Sequence, residues 1–323
     1  MITAPDFSKK QIVFVLFNDG EKLAFRNDNI VVKRPDGGIK FQVTCYRLFA
    51  VYAVGHCSLT SVVIQKAKKF GFFIVMLTPS FRIYAILGGE KDGNTLLRRK
   101  QYEYTGLELA RHITDNKIAN QQELLRRVRC KNDCIKEAIP LMEQYRQGAQ
   151  TAGTLQELMG FEGMASRLYF RNHFNNIVWN GRQPRIKPDA VNAVLDIGYT
   201  LLFSFVDSLL LSFGFDTFCG VMHREFYMRK SLTCDIVEPF RVLIDHQVKK
   251  SLNLGQIRDE DFLIDNRQYR LRWEHNARYL QFLMKPIMEN KEAIFLYVQS
   301  YYRCFMKGAD PSMFPVFIPG GEP

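Results

Sequence analysis

The sequence has no glycine-rich dinucleotide fingerprint, no phosphate loop of the Walker type and no Gly-x-Ser-x-Gly elbow. These absences exclude the usual signatures of nicotinamide chemistry, P-loop nucleotide hydrolysis and α/β-hydrolase acyl transfer. Its seven cysteines are odd in number and form no repeating framework, so a disulfide scaffold is not expected. Cys130 and Cys134 stand one helical turn apart without a second cysteine or histidine pair, which argues against structural zinc. His223-Arg224-Glu225 has the His-x-Glu of the zinc deaminases but lacks their Pro-Cys-x-x-Cys. Met1 to Asp6 holds no apolar signal core, so secretion is not expected. The longest apolar stretch, Val194 to Phe218, is interrupted by Asp196, Asp207 and Asp216. A membrane span needs ~20 nearly uncharged residues, so the stretch reads as a buried core helix. Negative charge is also scarce: 33 Asp+Glu face 44 Lys+Arg, a formal net charge of +11. That balance favours a polyanionic partner.

What is present is ordinary globular composition, 47% hydrophobic and 24% charged over 323 residues. Ile12 to Phe17 is an apolar run ending at the turn sequence Asn18-Asp19-Gly20, and Asn29 to Lys33 precedes Pro35-Asp36-Gly37-Gly38. Ile39 to Val43 alternates as a half-buried strand does. Thr60 and Gly71 bracket a helix, and Phe72 to Leu77 and Arg82 to Leu87 read as strands. Gly88 to Asn94 is the natural linker. Beyond it the spacing predicts helices over 95–112, 120–129, 162–179, 188–211, 235–251 and 272–307, with a capping box at Thr154 and Glu157. The expected class is α+β: a small N-terminal β-rich domain (1–94), a larger all-helical domain (95–309) and a flexible C-terminal tail (310–323). No internal repeat or low-complexity segment is visible.

The basic excess is spread over both parts of the chain. Clusters stand at Arg98-Arg99-Lys100, Arg126 to Arg129, Arg182 to Lys187, Arg224 to Lys230 and Arg267 to Arg272. Each reads either as a solvated helix face or as a set of phosphate contacts. Asp235 and Glu238, three residues apart, share a helix face and would lie in its first turn, where the dipole favours carboxylates. By spacing alone they are more readily capping acids than metal ligands, and neither Glu162 nor His223 carries a signal when taken singly.

Together these residues acquire meaning. Gly160-Phe161-Glu162-Gly163-Met164-Ala165-Ser166-Arg167-Leu168-Tyr169-Phe170 is followed by Lys187-Pro188-Asp189-Ala190-Val191-Asn192-Ala193-Val194-Leu195, then by Gly198-Tyr199. His223 and the block Ser231-Leu232-x-Cys234-Asp235-Ile236-Val237-Glu238-Pro239-Phe240-Arg241 complete the series. In order and spacing it resembles the CRISPR-associated spacer-acquisition integrase, the metal-dependent DNA endonuclease shared by most CRISPR systems. The motifs cover about 160–241, and the order of a β domain before a helical one extends the likeness to nearly the whole chain.

The resemblance implies a divalent metal, Mg²⁺ or Mn²⁺, held by Glu162, His223 and Glu238, with Asp235 as an auxiliary acid. Carboxylate oxygens and a neutral imidazole suit these ions. It implies attack by a DNA 3′-hydroxyl on a phosphodiester at the edge of a CRISPR repeat, with water able to replace the hydroxyl. Phosphodiester is exchanged for phosphodiester, which agrees with the missing ATP loop. Many relatives carry Gly-Arg before the Ser-Leu segment where this chain has Met228-Arg229-Lys230. Arg167, Arg224, Arg229, Lys230 and Arg241 are the expected DNA-binding cations, although Arg241 is equally placed to pair with Glu238. The resemblance further implies a homodimer through the β domains, a small ferredoxin-like CRISPR-associated partner, and a prokaryotic cytoplasm. No membrane partner is expected. The alternatives are a metal-dependent nuclease on branched or repair DNA and a non-catalytic basic DNA-binding scaffold.

Overall fold

The computed structural model describes residues 3–177, 179–223 and 227–321. It divides into two compact units, Met1–Thr95 with Asp207–Phe215, and Leu96–Val206 with Asp216–Pro323.

The first unit holds α1 (Ala4–Ser8), β1 (Gln11–Phe17), β2 (Lys22–Arg26), β3 (Asn29–Lys33), β4 (Ile39–Thr44), β5 (Leu48–Gly55), β6 (Ser58–Leu59), α2 (Ser61–Phe70), β7 (Phe73–Leu77) and β8 (Ile83–Gly88). Two four-stranded sheets form, in the orders β1-β5-β7-β8 and β4-β3-β2-β6. β1, β5 and β7 run parallel, and β8 returns antiparallel. The two-residue turn between β2 and β3 is made by Asn27 and Asp28, both at positive φ, the backbone such tight hairpins need. One apolar core joins Val15, Phe17, Ile30, Val32, Val51 and Ile74 to Val63 and Ala67 of α2. The expected strands and helix are all present. The periodicity did not reveal β2, β5 or the two-residue β6; of these β5 is the longest and is buried at every position. A strand buried on both faces loses the alternation that marks a half-exposed one.

The second unit is built from α3 (Thr95–Glu103), α4 (Glu108–Arg126), α5 (Asp133–Thr151), α6 (Leu155–His173), α7 (Ala190–Phe213), α8 (Ser231–Val237), α9 (Arg241–Asn253), α10 (Asn276–Glu289) and α11 (Lys291–Lys307). The last turns of α7 belong to the first unit. The α+β class expected from the sequence is therefore present. The helical part also carries an antiparallel hairpin, β9 (Phe262–Asp265) with β10 (Gln268–Leu271), so it is mostly rather than wholly helical. α6 starts at the expected capping box: Thr154 Oγ1 accepts from Glu157 N, and Glu157 Oε2 accepts from Gly153 N at 2.8 Å. α7 is long and apolar enough to cross a membrane, and 78% of its apolar window is buried.

α5 was not expected, the expected 95–112 helix breaks between α3 and α4, and the expected 272–307 helix divides into α10 and α11; two further differences bear on the site. The helix expected from Asp235 begins at Ser231 and is interrupted by a 3-10 turn at Glu238–Phe240. Pro239 has no N–H to continue the ladder. Asp235 thus lies near the end of a helix, not in a first turn. The segment after Asp310, expected to be flexible, is packed in this structure. Phe314 and Phe317 are buried, and Asn116 of α4 exchanges two hydrogen bonds with the backbone of Phe317, each 2.8 Å. Proline and glycine end regular structure without preventing contact.

Candidate active site

Every expected ligand lies in the second unit, on elements that meet around α4. α4 carries an apolar stripe, Leu109, Ile113 and Leu124, and Lys117 falls on that buried face. Asn120, also buried on α4, donates to the carbonyl of Pro239 at 2.9 Å. This fixes the 3-10 turn that bears Glu238 against α4. α6 brings Glu162 from the other side.

The outcome is a buried charge cluster. Lys117 Nζ donates to Glu162 Oε1 and lies 2.6 Å from Glu238 Oε2. Ser166, one turn along α6, donates to Glu162 at 2.9 Å. Arg241 pairs with the other oxygen of Glu238 at 3.1 Å, the pairing its i,i+3 spacing allowed. Lys117 and Glu238 are only 8% and 4% exposed. Burial alone would raise Glu238, but Arg241 and then Lys117 more than offset it and hold its carboxyl down at about 2. Burial likewise opposes the Lys117 ammonium, and the charges of Glu162 and Glu238 override it, raising its pKa. Both groups are therefore ionised across the physiological range.

Asp235 and His223 form a second pair. Gly220 lets the loop before His223 pass tightly over α8, since a Cβ there would fall 2.7 Å from Asp235 Oδ2. The amides of Val221 and Met222 consequently donate to Asp235 Oδ2 at 2.7 and 2.9 Å. Asp235 Oδ1 accepts the His223 amide at 3.2 Å and lies 2.6 Å from His223 Nδ1. This fully buried carboxylate is thus occupied by the loop and the imidazole. It orients His223 with Nε2 as the ring nitrogen left for a ligand, as outer acids do at metal sites.

A cavity of about 730 Å³ opens beside the acids, lined by Lys117, Glu162, Arg167, Arg171, Arg182 and Arg241 together with Phe170, Trp179 and Tyr199. Gly198 allows α7 to lie close to α9, because a Cβ there would run into Ile244. Tyr199 then sits under Arg241, whose guanidinium is 4.9 Å from the ring centroid. Asp245 closes the floor: Tyr199 donates to its Oδ1, and Tyr169 donates to its Oδ2 at 3.1 Å. Burial pushes Asp245 up to about 6 even so.

Of the expected residues, Glu162 and Glu238 come together through Lys117. His223 is bound to Asp235 and close enough to Glu238 to help depress its pKa. Among the described residues no group of three His, Cys, Asp or Glu stands ready as a metal cage. The donor chemistry nevertheless fits a hard divalent ion. Two carboxylates from separate elements converge on one cationic point, and Glu238 Oε2 is buried with its lysine contact unaligned as a hydrogen bond. Of the expected DNA-binding cations, Arg167 and Arg241 line the cavity. Arg229 instead donates to Cys234 Sγ at 3.4 Å, Lys230 sits at the N-cap of α8, and Arg224 lies outside the described residues. Sequence reasoning missed Lys117, Arg171, Tyr199 and Asp245 as site residues. Lys117 had one signal, a lysine in register with the apolar stripe of Leu109, Ile113 and Leu124.

Comparison with known proteins places these features. The family model described as CRISPR associated protein Cas1 matches residues 14–285. The chain is 30% identical over 228 residues to the CRISPR-associated endonuclease Cas1 of Thermodesulfovibrio yellowstonii, covering 67% of this chain and 72% of that protein. Its fold matches a Cas1 protein from Thermotoga maritima with a TM-score of 0.80 at 19% identity, over 97% of this chain and all of that one. A chain of a Cas6-RT-Cas1–Cas2 complex matches with a TM-score of 0.83 at 21% identity. There, 98% of this chain corresponds to 37% of a longer one.

Proposed function

The chain belongs to the CRISPR associated protein Cas1 family, and on that premise we propose that Glu162, His223 and Glu238 are the ligands of a catalytic Mg²⁺ or Mn²⁺ beside a DNA-end pocket. The protein is a CRISPR adaptation enzyme, a DNA endonuclease and integrase, and the family is metal-dependent. The observation that carries the assignment of residues is the convergence of Glu162 and Glu238 on a single cationic point, next to a cavity whose cations suit phosphates and whose rings suit bases.

When bound, the metal supplies Lewis-acid polarisation of the scissile phosphate and stabilises charge on the attacking or leaving oxygen. The protein does the rest. Asp235 fixes the His223 ring through Nδ1. Arg241 pairs with Oε1 of Glu238. Arg167, Arg171 and Arg182 face the cavity where a phosphodiester backbone would run. The attacking group is the 3′-hydroxyl of a short captured duplex, and the target is a phosphodiester at the border of a CRISPR repeat. The enzyme works in the prokaryotic cytoplasm as a homodimer through its β-rich domain (1–94), with the 95–309 domain catalytic. Its partner is a small ferredoxin-like adaptation protein, a reading supported by the fold shared with a Cas1–Cas2 assembly.

The test is strand transfer. A labelled duplex with 3′-hydroxyls is mixed with a supercoiled plasmid carrying a CRISPR array, in Mn²⁺, Mg²⁺ or EDTA, with and without the partner. Metal-dependent label at repeat borders, lost in Glu162→Ala, His223→Ala and Glu238→Ala, is expected. Retention of wild-type rates by any of the three removes that residue from the ligand set. Cutting without joining in every condition favours the repair-nuclease reading.

A further inference from the structure

We propose that Lys117 is a built-in counter-cation of the metal centre: its ammonium holds Glu162 and Glu238 converged in the metal-free protein and competes with the divalent ion for their oxygens. The proposal rests on the reading of these two acids as metal ligands. Its first support is position. Lys117 comes from α4, Glu162 from α6 and Glu238 from the 3-10 turn after α8, yet one Nζ contacts a carboxylate oxygen of each acid. Two carboxylates turned toward one point repel each other, and without a cation they would splay apart or take up a proton. Separate helper contacts from Ser166 and Arg241 serve one acid each. The lysine is what ties the pair together.

The second support is exclusion. An ion-pair contact to nitrogen is 2.6 Å at Glu238, whereas a Mg²⁺-type ion demands carboxylate oxygens at about 2.0–2.1 Å in its own fixed geometry. Ammonium and metal cannot share that point. The third support is a way out. Lysine is a compact charge on a flexible four-carbon stem, its contact to Glu238 Oε2 is not an aligned hydrogen bond, and Lys117 itself lines the 730 Å³ cavity. The ammonium can swing into that space, where the cations already present mark the path of a phosphate backbone. Lys117 is thus a positioning residue. It pre-forms the site and lowers its metal affinity, so that the ion enters most readily when a negatively charged DNA backbone is there to receive the displaced ammonium.

The full-length protein is titrated with MnCl₂ by calorimetry and by thermal melting, after chelator treatment, as wild type, Lys117→Met, Glu238→Gln and Glu162→Gln. Lys117→Met is expected to melt lower than wild type without metal, to bind Mn²⁺ more tightly by about tenfold or more, and to gain a larger rise in melting temperature at saturation. A merely structural lysine would give the opposite, a loosened site and weaker binding. Unchanged or weakened affinity in Lys117→Met, while Glu238→Gln and Glu162→Gln abolish uptake, overturns the counter-cation and leaves the ligands standing. No uptake by wild type, or uptake indifferent to both glutamate substitutions, overturns the ligand assignment and with it the proposal. Should Lys117→Met not fold in chelator, Lys117→Gln, which keeps an N–H donor without the charge on a stem one carbon shorter, is read by the same criteria.

Discussion

Asp235 aims His223: the imidazole Nδ1 lies 2.6 Å from Asp235 Oδ1, while the carboxylate also accepts the amides of Val221, Met222 and His223. The same acid therefore sets both the path of the loop and the ring that it carries. Asp235→Asn keeps the shape but offers a single acceptor oxygen. It is expected to lower metal affinity and DNA cutting by about 10- to 100-fold, the usual effect of losing the acid behind a ligating histidine. The circular dichroism spectrum should be unchanged. Wild-type cutting in this variant would mean that His223 is oriented by something else.

The two glutamates differ in what their loss leaves behind. Glu238 is nearly inaccessible and faces both Lys117 and Arg241. Glu238→Gln therefore strips the half-buried Arg241 of its counter-charge and leaves the buried Lys117 with Glu162 alone, at a cost of about 3–5 kcal/mol. Glu162 is more open, its side chain 20% exposed, and its loss leaves Lys117 still paired with Glu238. Glu162→Gln should cost about 1–2 kcal/mol. Urea denaturation in chelator reads the difference. Equal stabilities would contradict the burial order of the two acids.

These contrasts separate what was legible in the chain from what was not. Glu162, His223, Asp235 and Glu238 stood out in the sequence because each sits in a run of residues whose order and spacing form one pattern. The helix expected to carry the last two was misplaced by four residues at its start, and Glu238 lies beyond its end. Periodicity says which residues share a face, but Pro239 breaks the face into α8 and α9. Lys117 was not legible as a site residue, since a buried charge demands an opposite charge without naming it. The partners here lie 45 residues away for Glu162 and farther still for Glu238. Tyr199 and Asp245 are separated by 46 residues and meet only because Gly198 admits the close approach of α7 to α9. In the first unit β5 escaped for the converse reason: a strand with no exposed position carries no period.

Asp245 gives the fold a proton-linked signature distinct from that of Glu238. Burial, only partly countered by hydrogen bonds from Tyr199 and Tyr169, raises its pKa from 3.8 to about 6. The folded state thus holds this proton more tightly than the unfolded chain does. The associated stability is fully present below about pH 4 and is lost as pH rises through about 6. Glu238, depressed to about 2, loses its contribution only below that window, as pH falls from about 4.5 toward 2. Wild type is therefore expected to gain stability relative to Asp245→Asn as pH falls from 7 to 4. Paired thermal melts across that range check it, and a pH-independent difference would show that Asp245 does not carry the linkage.

Two of the four arginines that line the cavity, Arg167 and Arg241, should part company when DNA is the readout. Arg167 is exposed and lines the cavity. Arg241 is tied to Glu238 and stacked on Tyr199. A cation that contacts one phosphate releases about one condensed counterion, so Arg167→Gln should weaken duplex binding evenly across sequences. It should also reduce the slope of log affinity against log salt by about 1, with melting temperature unchanged. Arg241→Gln removes a counter-charge from a buried carboxylate, so it should lower the melting temperature and metal-dependent cutting before it alters the salt slope. Binding isotherms at several salt concentrations, run beside melts of the same preparations, distinguish the two. A loss of salt slope in Arg241→Gln without loss of stability would move that side chain from the support of Glu238 to the DNA track, and Arg167→Gln with an unaltered slope would remove Arg167 from it.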